Sequence, residues 1–390
     1  MKYFIKYILQ PLNDINYKLL RNICLAVILA IVLAGLWPFN FFPKNKVKWV
    51  QNISGISFYG QGMVISSGQF KGKNESLFPD RSISMELRLK PLNESGYLPH
   101  IVNLYDGKLP GVVVVGQWRS HLIILCRTNY PAQFEHGKPY KEIGLRNVLL
   151  KNQDVFITIV SDKKGSAIYV NGIPAKFYPG FQLLSEYIDE SFYIIIGNSP
   201  EGQSFWNGEF MGLAIYNTAL KPEQIAKNYQ SWMQGKYELL KRNPGIICFY
   251  PFSEKKGSII HNYVDSGYPL MIPEIFKPIK RIFLEPPWRE NKWNLSFIQD
   301  VIINFFGFIP FGFFMSAFFV KKRRLGLNAN INIIYFIIII VGFAFSLSIE
   351  FIQAYLPTRF SQLSDLILNT FGTAAGVFMA HAFMRFKVKG

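Results

Sequence analysis

A chain of 390 residues is long enough for two or three domains. Half of its residues are hydrophobic and 16% are aromatic, which is rich for a soluble protein and too lean for membrane helices throughout; a mixture of spans and a soluble domain is expected. The formal net charge of +17 calls for an acidic partner, and because the basic residues gather at the ends of apolar runs, as in Lys321-Lys322-Arg323-Arg324, lipid headgroups answer that call and nucleic acid is set aside.

Residues 1–21, with Lys2, Lys6, Lys18 and Arg21, read as a cytoplasmic leader. The uncharged run 22–42 is long enough to cross a bilayer. It ends in Leu36-Trp37-Pro38-Phe39 without a small-residue cleavage site, so it reads as a retained helix with an interfacial aromatic belt rather than a signal peptide.

From 44 to 235 the pattern changes to period two. In Ser82–Lys90, Ile83, Met85, Leu87 and Leu89 share one face, while Ser84, Glu86, Arg88 and Lys90 point to the other, which is expected to be solvated. Similar short runs recur between Gly, Pro, Asn and Asp, and predict an all-β jelly-roll sandwich. One amphipathic helix, Lys221–Met233, opened by Pro222 and Glu223, follows it. Residues 236–296 contain a strand-like run at Gly245–Phe252, then Pro269, Pro273, Pro278, Pro286 and Pro287 among Lys277, Lys280, Arg281 and Arg289. They read as a strand-containing connector returning to the membrane, with Trp288 and Trp293 near the interface. Three apolar runs, 297–320, 331–355 and 364–386, are each long enough to span.

Asp154–Gly172, DVFITIVSDKKGSAIYVNG, resembles the strand–turn–strand of laminin-G-like, concanavalin-A-like domains. Trp206–Glu209 through Tyr216-Asn217, with Ala219-Leu220 and Glu223–Ala226, resembles their closing strand and helix, and Phe58–Gly62 their opening strand. The resemblance implies a sandwich used in lectins, glucanases and adhesion modules alike, so it fixes the fold and leaves the ligand open. The E-x-D-x-x-E strand of the glucanase relatives is absent, and Glu209 reads as a structural or surface residue.

The basic flanks set a four-pass topology in a bacterial inner (plasma) membrane, with the sandwich and the 356–363 turn outside the cytoplasm. Cys126 and Cys248 then fall in a disulfide-permissive compartment where a bond between them is allowed. The five histidines are scattered and no cysteine pair has metal-ligand spacing, so no metal site is signalled. No cofactor is implied; calcium in the sandwich, or a divalent cation at the acidic cluster below, stays open.

That cluster lies around the turn. Ser346, Glu350 and Gln353 share one helix face, as do Asp365, Asn369, Gly372 and Gly376. Asp300 and Asn304 fall at the same depth on the preceding helix, and Arg359 hangs from the turn. Ionisable groups in apolar helices normally face the bundle interior and often mark function. Three carboxylates are therefore expected to converge beneath one guanidinium, with Gly307, Gly372 and Gly376 allowing close helix approach. Asp300, Asn304, Phe308–Gly312, Glu350, Gln353, Pro357, Arg359, Asp365, Asn369, Gly372 and Gly376 together resemble the VanZ-like family, and the first helix ending Trp37-Pro38-Phe39 resembles that family's first helix. The resemblance implies a small polytopic membrane protein associated with low-level resistance to the glycopeptide teicoplanin, here with a sandwich inserted after helix one. The expected function is a cell-envelope protein whose sandwich binds a glycan, glycopeptide or envelope protein. The alternative is an enzyme acting on lipid-linked envelope intermediates, with Glu350 or Asp365 as general base; the absence of a serine–histidine or cysteine nucleophile arrangement favours binding over catalysis.

Overall fold

The computed structural model describes residues 16–72, 76–127, 140–184, 191–265, 267–287, 295–324 and 330–386. The basic leader before residue 16, Trp288, Arg289 and Trp293, and the terminal basic stretch from 387 lie outside the described residues. The chain divides into two compact units: one is Phe42–Lys280, and the other joins Met1–Phe41 to Arg281–Gly390.

The first unit is a two-sheet sandwich. One sheet runs in the order β1 (Val47–Trp49), β2 (Ile56–Phe58), β14 (Gly208–Tyr216), β5 (Ile83–Pro91), β10 (Val155–Asp162), β11 (Gly165–Val170) and β12 (Ile173–Pro179), with β15 (Ile246–Tyr250) also on β14. The other runs β16 (Ile259–Ile260), β17 (Leu270–Met271), β3 (Val64–Ser66), β13 (Ser191–Ile196), β6 (His100–Tyr105), β7 (Val113–Trp118), β8 (His121–Arg127) and β9 (Tyr140–Leu145), with β4 (Phe70–Lys71) on β13. The inner faces alternate as strands require: Ile83, Met85, Leu87 and Leu89 meet Ile157, Ile159, Leu213 and Ile215 in one large core. The Asn171-Gly172 dipeptide makes the β11–β12 turn. Both residues have positive φ (51° and 79°), as a two-residue hairpin turn between Val170 and Ile173 requires. Asn171 also ties the turn to β10, its Oδ1 accepting from Phe156 N–H at 3.0 Å.

The outer face of β5 is solvated only at its Arg88–Lys90 end; Ser84 and Glu86 are buried. Helices α2 (Pro222–Met233) and α3 (Tyr237–Leu240) lie over that sheet and build a second core from Phe156, Tyr216, Ile225, Trp232, Leu240 and Phe249. Glu86, expected at the surface, is buried completely beneath it. The segment after residue 235 differs from a plain connector in the same way: β15 extends one sheet, and β16 and β17 extend the other, because Ile246–Tyr250 and Leu270–Met271 find unpaired edges on β14 and β3. Cys126 and Cys248 are both free and buried, on strands of opposite sheets, so the allowed disulfide is not formed. Burial pushes the Cys126 thiol up to about 11 and the Cys248 thiol higher still, which makes both inert.

Among the described residues the second unit contains four helices long and apolar enough to cross a membrane: α1 (Tyr17–Leu36), α4 (Leu295–Arg324), α5 (Ile331–Tyr355) and α6 (Leu363–Phe386). Asn16 caps α1 through its side chain, and Asn330 caps α5. Helix α1 stops at Leu36 and α5 at Tyr355, each just ahead of an extended residue followed by proline. Helices α4 and α6 touch backbone to backbone. A Cβ at Gly372 would collide with the Phe305 carbonyl oxygen, one at Gly376 with that of Ile309, and one at Gly312 with that of Thr373. Gly307, expected in this contact, faces open space, and Gly312 takes its place.

Candidate functional site

The polar layer grows from the ends of α1, α5 and α6. The last carbonyls of any helix lack intrahelical partners. The Gly35 carbonyl of α1 is such an orphan, and two side chains satisfy it: Gln353 Nε2 donates at 2.8 Å and Arg359 Nη2 at 3.1 Å. Gln353 reaches it because Ser346, Ile349, Glu350 and Gln353 lie on the buried face of α5, as their spacing predicts.

Glu350 is 1% exposed. Its Oε2 accepts the Gln362 backbone N–H at 2.9 Å, and the Ser361 hydroxyl, Arg359 and Asp365 are its other polar neighbours. The turn that supplies these groups is pinned from outside. The 281–287 segment runs along it: Glu285 N–H donates to Ser361 O at 2.8 Å, Leu363 N–H to Glu285 O at 3.0 Å, and Leu284 N–H to Ser361 Oγ at 3.1 Å. Arg281 stacks on the Tyr355 ring at 4.9 Å. One helical turn below, Asn369 Nδ2 donates to Ser346 Oγ at 2.9 Å, and the Thr373 hydroxyl to Asn369 O at 3.0 Å.

The expected trio of buried acids is thereby narrowed. Glu350 is fully buried, Asp365 is half-buried beside it, and Asp300 is exposed on α4, with Asn304 half-buried. Asp300 sits in the first turns of α4, where no neighbouring helix covers its side chain. Among the described residues no group of three or more His, Cys, Asp or Glu side chains is arranged to hold a metal ion. Two polar atoms of the layer are buried without a hydrogen-bond partner, Arg359 Nε and Asn369 Oδ1. Sequence reasoning missed the Gly35 carbonyl, because a backbone acceptor leaves no residue signature. It also missed the 284–285 clamp, whose donors are likewise backbone groups.

In the sandwich, Trp118 closes the β7–β8 hairpin and is 40% exposed, with Arg119 at 5.0 Å over its ring and His121 at 5.4 Å. The hairpin is held from below: Trp206 Nε1 donates to Gln117 Oε1 at 2.7 Å, and Gln117 Nε2 to the carbonyls of Asn93 and Arg119. Tyr97 stands on the same 93–98 loop, 37% exposed and edge-on to Phe205. This end of the sandwich thus carries rigid aromatic rings flanked by hydrogen-bonding groups. Glu209 pairs with Lys90 at 3.3 Å on the sheet.

Comparison with known proteins follows the two units. Residues 66–226 match the Concanavalin A-like lectin/glucanases superfamily, and residues 245–385 match VanZ/LLP1. The second match begins inside the sandwich unit, at β15. No curated protein matches the chain. Among solved structures it is similar to a protein from Bacteroides ovatus proposed to bind carbohydrate, at 14% identity over 60% of this chain and 59% of that one, with a TM-score of 0.40. The receptor binding domain of botulinum neurotoxin C/D mosaic serotype is similar at 16% identity over 48% of this chain and 45% of that one, with a TM-score of 0.37. A heptameric SAP-like pentraxin from Limulus polyphemus is similar at 13% identity over 59% and 96%, with a TM-score of 0.34. The chain spans less than two thirds of the first two. The chain thus carries a concanavalin-A-like match and a VanZ/LLP1 match in tandem, with the sandwich falling in sequence between the first and second apolar helices.

Proposed function

We propose that this is an integral membrane protein of the bacterial cell envelope. Its extracytoplasmic sandwich recognises a glycan or an envelope protein, and its bundle engages envelope lipid or glycopeptide at the Glu350–Arg359 layer. The role this reading proposes is in glycopeptide (teicoplanin) resistance or envelope maintenance. The observation that carries the reading is the aromatic end of the sandwich: Trp118, 40% exposed with Arg119 and His121 beside it, offers the apolar surface with adjacent donors that a sugar ring needs. The superfamily match of the same region supports it. The test is binding of the full chain, in detergent micelles, to an array of polysaccharides and peptidoglycan fragments. Binding is expected to fall at least tenfold in Trp118→Ala. Silence across the array, or binding indifferent to Trp118, sinks the glycan reading and leaves protein recognition.

A second reading, an enzyme acting on lipid-linked intermediates, draws on Glu350: a buried carboxylate with Asp365 and Arg359 as charged neighbours. Glu350→Gln and Asp365→Asn keep shape and hydrogen-bonding capacity while removing the base. If either variant folds normally yet loses the envelope phenotype, such as teicoplanin tolerance, catalysis or charge-dependent binding there gains support. Two fully active variants end it.

A further inference from the structure

The two ends of the sandwich unit run side by side. Lys44 and Ile275 form an antiparallel bridge, Asn45 N–H donates to Glu274 O at 3.0 Å, and Phe276 N–H to Pro43 O at 2.8 Å. Along the entering segment the side chains alternate. Asn45 exchanges two 2.8 Å hydrogen bonds with the Met63 backbone, and Val47 and Trp49 pack against the core. Lys44, Lys46 and Lys48 are left on the opposite side, all exposed. Trp49 Nε1 donates to Gly257 O at 2.7 Å, which holds the loop carrying exposed Lys255 and Lys256 beside the same strand. On the leaving segment Lys277 and Lys280 are exposed too, and the N–H groups of Ile279 and Lys280 are anchored on Pro200 O.

Exposed apolar side chains lie among these lysines: Phe42 at 76%, Ile275 at 43% and Ile279 at 38%. The acidic residues along the same segments are Glu274, Glu254, which accepts from His261 N–H, and Glu201 next to Pro200. Positive charge therefore predominates, and it is interleaved with apolar groups. That combination suits the headgroup layer of a bilayer, where ammonium groups meet phosphate and apolar side chains reach below it.

We propose that this strip is a docking surface for an anionic phospholipid bilayer, so that the sandwich rests on the membrane through its own chain ends. Connectivity decides the occupant. The strip begins six residues after Leu36, the last residue of apolar helix α1, and ends at Lys280, immediately before the helical unit resumes at Arg281. Tethering at both ends makes the surface encounter intramolecular, so modest charge attraction is enough. Each lysine near an anionic surface contributes about a fivefold factor in binding.

The test uses the full chain in lipid nanodiscs with Ile275→Cys carrying a fluorophore, the three native cysteines being buried. Lipids with a nitroxide on the headgroup quench a docked label. Quenching is expected in discs containing phosphatidylglycerol, and it is expected to fall in purely zwitterionic discs and at about 1 M salt, where the screening length shrinks to about 3 Å. Replacing Lys44, Lys46 and Lys48 together by Gln is expected to lower the docking constant about a hundredfold. A label at Ile173→Cys on β12 should report no lipid dependence. Equal quenching in both lipid compositions, or quenching untouched by the triple replacement, overturns the proposal, and a second label at Lys277→Cys must agree. Glycan binding by Trp118 is independent of either outcome.

Discussion

Glu86 accepts hydrogen bonds from Asn228 Nδ2 at 2.8 Å, Tyr216 OH at 2.9 Å and Trp232 Nε1 at 3.0 Å, with no exposed surface. Burial pushes its pKa above the usual carboxylate range, and the three donors pull it part of the way back. A carboxyl whose folded pKa is raised contributes stability that is complete below its unfolded value near 4.5 and is lost as pH rises through the folded value. Thermal unfolding of the full chain, followed by tryptophan emission, should therefore show wild type losing ground to Glu86→Gln as pH climbs above 4.5. Glu86→Ala should cost about 3 kcal/mol or more at any pH, because it strands three buried donors. A flat wild-type-minus-Gln difference across pH would contradict the assignment. At this scale the sequence is a partial guide. The spacing of Ser346, Glu350 and Gln353 places them on one buried face, as found. Glu86 was read as solvated, since alternation tells which side of a sheet a residue faces and nothing about what lies over that side.

At the scale of elements, the apolar runs are legible because length and hydropathy alone define a span. Helix ends follow from Pro38 and Pro357, each of which disfavours helical backbone in the residue before it. Strands are equally legible where alternation runs for six residues or more, as in β5, or where a near-continuous apolar run is bounded by polar residues, as in β10. The two-residue strands β16 and β17 carry too little pattern to be read, and their pairing with each other and with β3 is set by the fold rather than by local sequence. The contact between α4 and α6 illustrates the same boundary. Gly372 and Gly376 announce a close approach by their four-residue spacing, whereas the choice of Gly312 over Gly307 as the opposing gap depends on helix rotation. Within the polar layer, Gln353 and Arg359 spend donors on the Gly35 carbonyl, so part of that layer holds α1 in the bundle. The polar atoms of the layer that stay buried without a hydrogen-bond partner are Arg359 Nε and Asn369 Oδ1.

In sequence the β-sandwich is spliced between apolar helices, with basic residues at Lys18 and Arg21 in the first turns of α1 and at Lys321–Arg323 closing α4. In a four-pass chain these two flanks share a side; the proposed topology takes that side as cytoplasmic by the positive-inside rule and puts the sandwich outside, and the proposed envelope recognition depends on that placement. Accessibility of single cysteines to a membrane-impermeant maleimide, in spheroplasts or protoplasts, tests it directly because the native thiols are buried. The account predicts that Ile173→Cys, on a strand edge where the native side chain is 68% exposed, reacts at once and that Lys322→Cys reacts only after permeabilisation. Protection of position 173 together with labelling of position 322 in sealed cells would contradict it.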